Sequence, residues 1–319
     1  MCRESNEKGL AEIATKTEEA IANAGDTEVL DLMFNKAAHY TKIGSWSAAC
    51  SAFDEIIEKE KVSSGKKLDA VMSKCRIALF NMDLGQCKIQ LAEAKRLNDL
   101  SGDWDHRNRL KVYEAMYLLA VRDFKAASTL LQSCIATFTC TEVCDYNQFM
   151  FYALLTNVMT LPRIDLQKKI VENPQVISVI RELEHMPTFV NSIFRCEYKS
   201  FVQSLVAIAP RVQRDRYLSA HTVYVLRECR ILAYAQFLEA YRSVMLPSMA
   251  QSFGMSLDLL DKELSHFISA GRINAKIDKV DNVVETSRPD KKNAQYLEVI
   301  KKGDALLNQV QKLARVVEL

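Results

Sequence analysis

The sequence has few of the residues that make turns. Only nine of its 319 residues are glycine and six are proline, together about 5%, against an average near 12%. A β-sandwich, a barrel or a dinucleotide-binding fold needs more turn residues than this, so we expect long helices joined by short loops. The length of the chain predicts about two structural units with a substantial buried core.

An excess of one charge and long apolar runs are also lacking. The 42 Lys and Arg residues nearly balance the 40 Asp and Glu residues, which indicates neither an acidic tail nor broad nucleic-acid binding. The longest uncharged run, residues 146–162, contains Asn147, Thr156 and Asn157, so it is too polar to span a bilayer and predicts a buried helix. The N-terminal residues lack the apolar stretch of a signal peptide. We therefore expect a protein of the cytoplasm and nucleus that does not bind membranes.

The motifs of common enzyme classes are missing. The sequence contains no G-x-G-x-x-G or G-x4-G-K-[ST] phosphate-binding loop, no G-x-S-x-G nucleophile and no H-E-x-x-H zinc motif. Its five histidines are dispersed, and none pairs with another at metal-ligand spacing. We predict that the protein is not an enzyme, with no catalytic residues, no metal and no cofactor.

Nine cysteines are scattered along the chain, and three of them cluster. Cys134, Cys140 and Cys144 follow a C-x5-C-x3-C spacing, whereas a zinc site needs a fourth ligand and usually a tighter spacing. Cys144 has no basic sequence neighbour that would activate it as a nucleophile, although one could approach it in space. We interpret the cysteines as buried thiols without a disulfide framework.

A repeat is visible in the half of the chain before Pro162. Trp46, Leu84 and Phe124 are separated by 38 and 40 residues, and each is followed by a small residue at +3 and a large apolar residue at +7. The small residues are Ala49, Cys87 and Ala127, the large ones are Phe53, Leu91 and Leu131, and the preceding segments carry the pairs Ala37/Tyr40, Cys75/Ala78 and Ala115/Leu118. A period near 40 is typical of an α-solenoid of TPR-like helical hairpins. Three unrelated amphipathic hairpins in a bundle are the alternative.

The pattern changes after Pro247. A short helix before Gly254 and a second helix ending at Gly271 precede two alternating stretches, residues 273–277 and 283–286. Helix, helix and β-hairpin in this order predict a winged helix that stops at Pro289. It is the only β structure that we predict in the chain.

The second helix of this module argues against nucleic-acid binding. Winged helices often read DNA with this helix, but here it carries Asp258, Asp261 and Glu263 against a single lysine, Lys262. Such a surface repels phosphates. We therefore predict no nucleic-acid partner.

The last segment has the pattern of a helix that packs in a bundle. Tyr296, Gly303, Val310 and Val317 share one heptad position and Val299, Leu306 and Leu313 share another, while Ile300 and Leu307 widen the stripe. Such a stripe must be buried against other helices. Packing back onto its own domain is the alternative.

These observations divide the chain into four parts. Residues 1–145 form the TPR-like repeats and residues 146–246 continue the helices, with prolines 162, 174, 187 and 210 marking helix ends and one long helix over residues 225–246. Residues 247–289 form the winged helix, and residues 290–319 form the terminal bundle helix. The fold class is dominated by α-helix, with one small β-hairpin.

Several stretches resemble a known family. They are GDWDHRNRLKVY (102–113), RDFK (122–125), ELSHFISAGR (263–272), KIDKV (276–280), RPD (288–290), KKGD (301–304), LLN (306–308) and VQKL (310–313). They are similar to PCI-domain subunits of the 26S proteasome regulatory-particle lid, in the non-ATPase regulatory subunit 6 family. The resemblance runs from about residue 28 to the end and is loose over residues 170–220. The longer helical N-terminal arm usual in that family is absent from this sequence.

The resemblance implies a non-catalytic scaffold subunit of the 19S regulatory-particle lid that supports the degradation of ubiquitinated proteins. It implies a hetero-oligomer with other lid PCI subunits, the lid deubiquitinase subunit and the ATPase ring. Winged helices of the family dock side by side, and terminal helices share a bundle. On this basis we expect Ile273, Ala275, Ile277 and Val283 to face a neighbouring PCI subunit, and Tyr296, Val299, Leu306, Val310 and Leu313 to enter the bundle. A subunit of the COP9 signalosome or of a translation-initiation scaffold, and a nucleic-acid-binding adaptor, are the alternatives.

Overall fold

The structure, a computed structural model, describes residues 2–23, 25–59, 61–101, 103–286 and 291–317. The predicted end of the winged helix at Pro289 lies outside these ranges. The chain divides into two compact units, residues 1–229 and 230–319. Sixteen α-helices and three short strands occur in the described ranges, so the predicted helix-dominated fold class is confirmed.

Helices α1 to α12 belong to the first unit, and α13 crosses the boundary between the units. Consecutive helices from α1 to α8 pack on one another in chain order, as in an α-solenoid. The bounds are α1 (Cys2–Asn23), α2 (Asp26–Ile43), α3 (Trp46–Glu58), α4 (Ser64–Asn81), α5 (Leu84–Ser101), α6 (Trp104–Val121), α7 (Phe124–Cys134), α8 (Tyr146–Thr160), α9 (Arg163–Leu166), α10 (Pro174–Ile180), α11 (Met186–Arg195), α12 (Tyr198–Arg214) and α13 (Thr222–Ala240).

The three anchors of the sequence repeat begin three helices. Trp46, Leu84 and Phe124 are the first residues of α3, α5 and α7. The small residues three positions later, Ala49, Cys87 and Ala127, are fully buried, and the large residues at +7 are also in the core. A small side chain lets packed helices approach closely, and the large residue on the same face fills the core beside it, as Phe53 does against Phe34 of α2.

The same turn joins the two helices of each repeat. Gly44, Met82 and Arg122 adopt the left-handed backbone conformation, with φ of 85°, 57° and 71°. In each turn the backbone N–H of the following residue donates to the carbonyl five residues before it, as in a Schellman motif. After two of these turns an aspartate side chain, Asp83 or Asp123, caps the next helix.

A fourth copy of this turn was not predicted from the sequence. Cys196, with φ of 63°, precedes Tyr198, the first residue of α12, and Glu197 N–H donates to Ser192. The +3 position after this anchor holds Phe201, which stacks on Phe189 with ring centroids 5.1 Å apart. The first three copies have a small residue at this position. Because Phe201 is large, the spacing pattern does not include this hairpin.

Three proline predictions are confirmed and one is wrong. Pro162 immediately precedes α9, and Pro174 and Pro187 lie in the first turns of α10 and α11. Pro210, however, lies inside α12. Proline removes the hydrogen bond to the carbonyl four residues earlier, but Pro210 and Val206 are both exposed, so water can bind that carbonyl.

The predicted buried helix over residues 146–162 is confirmed. Helix α8 has ten buried residues, including Phe149, Phe151 and Asn157. The buried amide of Asn157 accepts a hydrogen bond from Ser128 of α7 at 2.9 Å. Within the described residues, none of the helices combines the length and the apolar character that a bilayer crossing requires.

The second unit contains the winged-helix elements α14 (Leu246–Phe253), α15 (Leu257–Ser269), β2 (Ala275–Asp278) and β3 (Val283–Thr286), followed by α16 (Lys291–Val317). The long helix predicted over residues 225–246 is wrong at its end. Helix α13 stops at Ala240, and Ser243–Met245 form an unpredicted strand, β1. Val244 pairs with Val284, so pairing with a distant strand overrides the local helical pattern.

A half-buried carboxylate holds the segment between α7 and α8 against two repeats. Glu142 accepts hydrogen bonds from Arg109 Nη2 at 2.7 Å and from the Tyr113 hydroxyl at 2.8 Å, both on α6, and from Arg76 Nη1 of α4 at 3.1 Å. Burial alone would raise the pKa of Glu142, but these donors outweigh it and the net pKa is lowered. The ion pairs thus stabilise the contact between neighbouring repeats.

Ala127→Leu should destabilise the first unit. The added atoms would enter a fully buried helix crossing, and overpacking of a core typically costs about 1–3 kcal/mol. Ala92→Leu, an identical change at an exposed site of α5, is the control. Thermal unfolding followed by circular dichroism should show a lower melting temperature for Ala127→Leu only.

Glu142→Gln should lower the free energy of unfolding by about 2 kcal/mol at pH 7, because hydrogen bonds to a charged group are lost. Since folding lowers the pKa of Glu142 from its ordinary 4.5, the ionised carboxylate stabilises the fold at neutral pH. This contribution disappears as the pH falls through the folded pKa. Urea unfolding of both proteins at decreasing pH should therefore show converging stabilities, and the exposed control Glu58→Gln should match the wild type throughout.

Candidate protein-docking surfaces

The winged-helix sheet has the strand order β1–β3–β2, with both neighbours antiparallel to β3. Thr286 N–H donates to the Arg242 carbonyl, and Leu246 N–H donates to the Asn282 carbonyl. Because hydrogen-bonding direction alternates along a strand, residues 282, 284 and 286 point their backbone groups towards β1. Val283 and Glu285 then point theirs towards β2.

Strand β2 therefore presents an open backbone edge. Its residues Lys276 and Asp278 face Glu285 and Val283 as hydrogen-bonded pairs. The backbone groups of Ala275 and Ile277 point the other way, where the strand order places no further strand. An open edge of this kind can accept a strand from another protein.

The four residues predicted for the hairpin occupy different environments. Ile273 and Ala275 are buried, and Ile273 precedes β2. Ile277 is half-buried on the same face of the sheet as the buried Val284, to which it is paired. Val283 is half-buried on the opposite face, in the central strand. The structure thus brings the backbone of Ala275 and Ile277 to the edge, but it does not bring the four side chains together.

The turn between β2 and β3 is formed by local hydrogen bonds. Asp278 Oδ1 accepts from the backbone N–H groups of Val280 and Asp281 at 2.9 and 3.4 Å. Asn282 follows with a φ of 53°, which asparagine tolerates better than most residues. This Asx turn fixes the register of the hairpin.

Helix α16 exposes its entire apolar stripe. Every residue from 295 to 317 is exposed, and the exposed fraction of its large apolar residues runs from 56% to 77%. The five predicted bundle residues, Tyr296, Val299, Leu306, Val310 and Leu313, are all in this set. The set also contains Leu297, Ile300, Leu307, Val316 and Val317. The structure therefore places these predicted residues on one continuous face.

This exposure gives no support to the alternative that α16 packs back onto its own domain. Soluble monomers rarely expose contiguous apolar surface of this length unless it binds a partner. A stripe at positions a, d and e of the heptad is wider than the seam of a two-stranded coiled coil and is typical of a helix bundle.

The acidic surface expected on α15 is largely neutralised. Glu263 pairs with Arg230 at 3.0 Å and accepts a hydrogen bond from Tyr234 at 2.7 Å. Asp261 pairs with Lys279. Of the three carboxylates, Asp258 is the exposed one. The helix is thus tied to α13 and to the hairpin turn by the charges that the sequence suggested would face solvent.

The clustered cysteines are in low-dielectric surroundings. Cys134 and Cys140 are buried, and Cys144 is half-buried. Burial, followed by the charges of Asp145 and Asp215, raises the pKa of Cys144 to about 12, which keeps it as a thiol at neutral pH. No cluster of three or more potential metal ligands occurs among the described residues.

Comparison with known proteins identifies three family models along the chain. The model described as 26S proteasome subunit RPN7 matches residues 1–169, and the PCI domain model matches residues 203–288. A model described as the C-terminal helix of the 26S proteasome regulatory subunit RPN7/PSMD6 matches residues 295–317, which lie within α16. The match begins earlier than the resemblance seen from residue 28, and residues 170–202 lie between two models.

Curated relatives agree with these models. The chain is 40% identical over 317 residues to the 26S proteasome non-ATPase regulatory subunit 6 homolog of Arabidopsis thaliana, covering 99% of this chain and 82% of that protein. It is 40% identical over 314 residues to the 26S proteasome non-ATPase regulatory subunit 6 of Dictyostelium discoideum, covering 98% and 82%.

The signalosome alternative is much weaker. COP9 signalosome complex subunit 1 of Arabidopsis thaliana is 24% identical over 153 residues, which cover 48% of this chain and 35% of that protein. The proteasome relatives, in contrast, match nearly the full length at high identity. The chain therefore belongs to the RPN7 family of 26S proteasome subunits, also called non-ATPase regulatory subunit 6.

Proposed function

We propose that this protein is a scaffold subunit of the 19S regulatory-particle lid of the 26S proteasome, where it supports the degradation of ubiquitinated proteins. The observation that carries this proposal is the uncovered apolar face of α16. A helix of 27 residues that buries none of its large apolar side chains gains stability only when other helices cover it.

The docking sites in this proposal are the two surfaces described above. Helix α16 enters a helical bundle through Tyr296, Val299, Leu306, Val310 and Leu313. The hairpin of Ile273, Ala275, Ile277 and Val283 faces a neighbouring PCI subunit, and the outward backbone of Ala275 and Ile277 supports strand addition at that site.

The partners that we propose are other PCI subunits of the lid, the lid deubiquitinase subunit and the ATPase ring. The proposed compartments are the cytoplasm and the nucleus. We propose a repeat module over residues 1–145, a PCI domain over residues 146–289 and a bundle helix over residues 290–319. Binding, and no catalytic step, is the proposed contribution of the chain, since the burial of its clustered thiols disfavours their reactive thiolate form.

Replacing Leu306 and Leu313 together with Asp should abolish incorporation into the proteasome. Two carboxylates in the middle of a bundle core would each lose hydration without a partner. Since both side chains are exposed in the free chain, the melting temperature of its packed core should stay unchanged, and any loss of helix signal from the lower propensity of aspartate should be confined to α16. Affinity purification followed by quantitative mass spectrometry measures the incorporation.

The matched control is the pair Asn308→Asp and Arg315→Asp. These residues have the same spacing of seven and lie on the opposite face of α16. They change the net charge more than the test variant does, so a purely electrostatic effect would impair the control more. Equal incorporation of both double variants would contradict the bundle assignment.

Ile277→Pro should weaken docking at the sheet edge. Proline removes the outward N–H of Ile277 but leaves the β2–β3 hydrogen bonds, which use Lys276 and Asp278, in place. Ile277→Thr keeps this N–H with a similar loss of apolar area and should assemble normally. If both variants incorporate equally, the backbone of β2 does not bind a partner strand.

A further inference from the structure

Gly303 leaves a gap at the centre of the apolar face of α16. On a helix, the nearest surface neighbours of a residue lie three, four and seven positions away. For Gly303 these six positions hold Tyr296, Val299, Ile300, Leu306, Leu307 and Val310. All six are large, apolar and exposed. They form a ring around a position without a side chain, and we call this ring and its centre the Gly303 socket.

None of the residues that the structure describes fills the socket. A Cβ atom placed on Gly303 would meet no atom within 4 Å. Glycine is also among the least favourable residues inside a helix, and α16 runs without interruption from Lys291 to Val317. The φ of Gly303 is helical, so its backbone does not require glycine here. The described chain therefore gives no structural reason of its own for a glycine at this position.

We propose that the Gly303 socket receives a bulky apolar side chain, such as Leu, Phe or Met, from an amphipathic helix of another lid subunit. This inference rests on the proposed function, because it specifies how the bundle that contains α16 is packed. In knobs-into-holes packing, a side chain inserts among four or more residues of the facing helix. A missing side chain at the centre of six apolar neighbours deepens such a hole, so the facing knob must be large to leave no void.

The charge of α16 defines the partner helix further. Its sequence contains six Lys or Arg residues but only two acidic residues. Among the described ion pairs of the helix, Lys302 contacts Glu298 at 2.7 Å within an exposed turn, while Lys301 lies on the polar face. A positively charged helix selects and orients a partner of opposite charge. The knob should therefore belong to a helix with Asp or Glu beside its apolar face.

The test is a set of substitutions in the full chain, expressed in cells and purified with the proteasome. Gly303→Leu fills the socket and should reduce incorporation at least about tenfold, the effect expected of overpacking at a close interface. Asn308→Leu introduces the same side chain on the opposite face, in place of one of nearly equal size, and should incorporate normally. Gly303→Ala should raise the helix content of the free chain, since alanine favours helix, and should still lower incorporation.

The outcomes separate this inference from the proposed function. The Leu306→Asp and Leu313→Asp double variant is measured beside these variants. If that variant is lost from the proteasome but Gly303→Leu incorporates like the wild type, the bundle stands and the socket is wrong. If the double variant also incorporates normally, the bundle itself is wrong. A Gly303→Ala variant that assembles as well as the wild type would instead indicate that glycine only adjusts helix flexibility.

A zero-length carboxyl-to-amine cross-linker applied to the assembled wild-type complex tests the identity of the occupant. Lys301 and Lys302 flank Gly303 and should join to Asp or Glu residues of one partner helix. Mass spectrometry then locates that helix, and a Leu, Phe or Met on its apolar face should lie opposite Gly303. Replacement of this residue by Ala in the partner should restore incorporation of Gly303→Leu. Cross-links confined to this chain, or a failure to restore incorporation, would overturn the proposal.

Discussion

The structure of the first unit depends on close helix crossings within each hairpin. Ala49, Cys87 and Ala127 are fully buried in the second helices of their hairpins, and side chains this small let packed helices approach closely. A single hairpin cannot bury both of its apolar faces, so each one is stabilised by the neighbours on which it stacks. Polar contacts reinforce this stacking: Glu142 connects the segment after α7 to α4 and α6, and Asn157 with Ser128 connects α7 to α8.

The second unit also has surfaces that need cover from a neighbour. In the winged helix the inner face of the sheet is covered by its own core, and the side chains of Ile273 and Ala275 are buried there. The backbone edge of β2 and the apolar face of α16 remain without cover. The repeats thus cover one another within the chain, whereas the backbone edge of a strand and the apolar face of a helix stay uncovered. Both are suited to other proteins of the same architecture.

The sequence predicted those features that depend on local periodicity. The anchors Trp46, Leu84 and Phe124 belong to three helices of the predicted repeat, and the heptad stripe of α16 predicted apolar side chains that the structure leaves exposed. Features that depend on distant pairing were missed. Residues 243–245 form strand β1 because Val244 pairs with Val284. Val283 lies in the central strand because β1 and β2 pair with opposite edges of β3. The fourth hairpin was missed because Phe201 stands at the position where the other copies have a small residue. Asp261 and Glu263 were expected to be exposed, but they form ion pairs with Lys279 and Arg230, which are distant in sequence.

The uncovered face of α16 also makes the fate of the chain depend on its supply relative to its partners. A copy made in excess keeps a row of large apolar side chains in water, and such surfaces promote aggregation and attract the chaperones and proteases that bind unfolded chains. In the proposed assembly, a copy that finds its partners hides the same row. The helix would then distinguish assembled from orphan copies without a separate signal, and the number of complexes that can cover it would limit the amount of this protein in a cell.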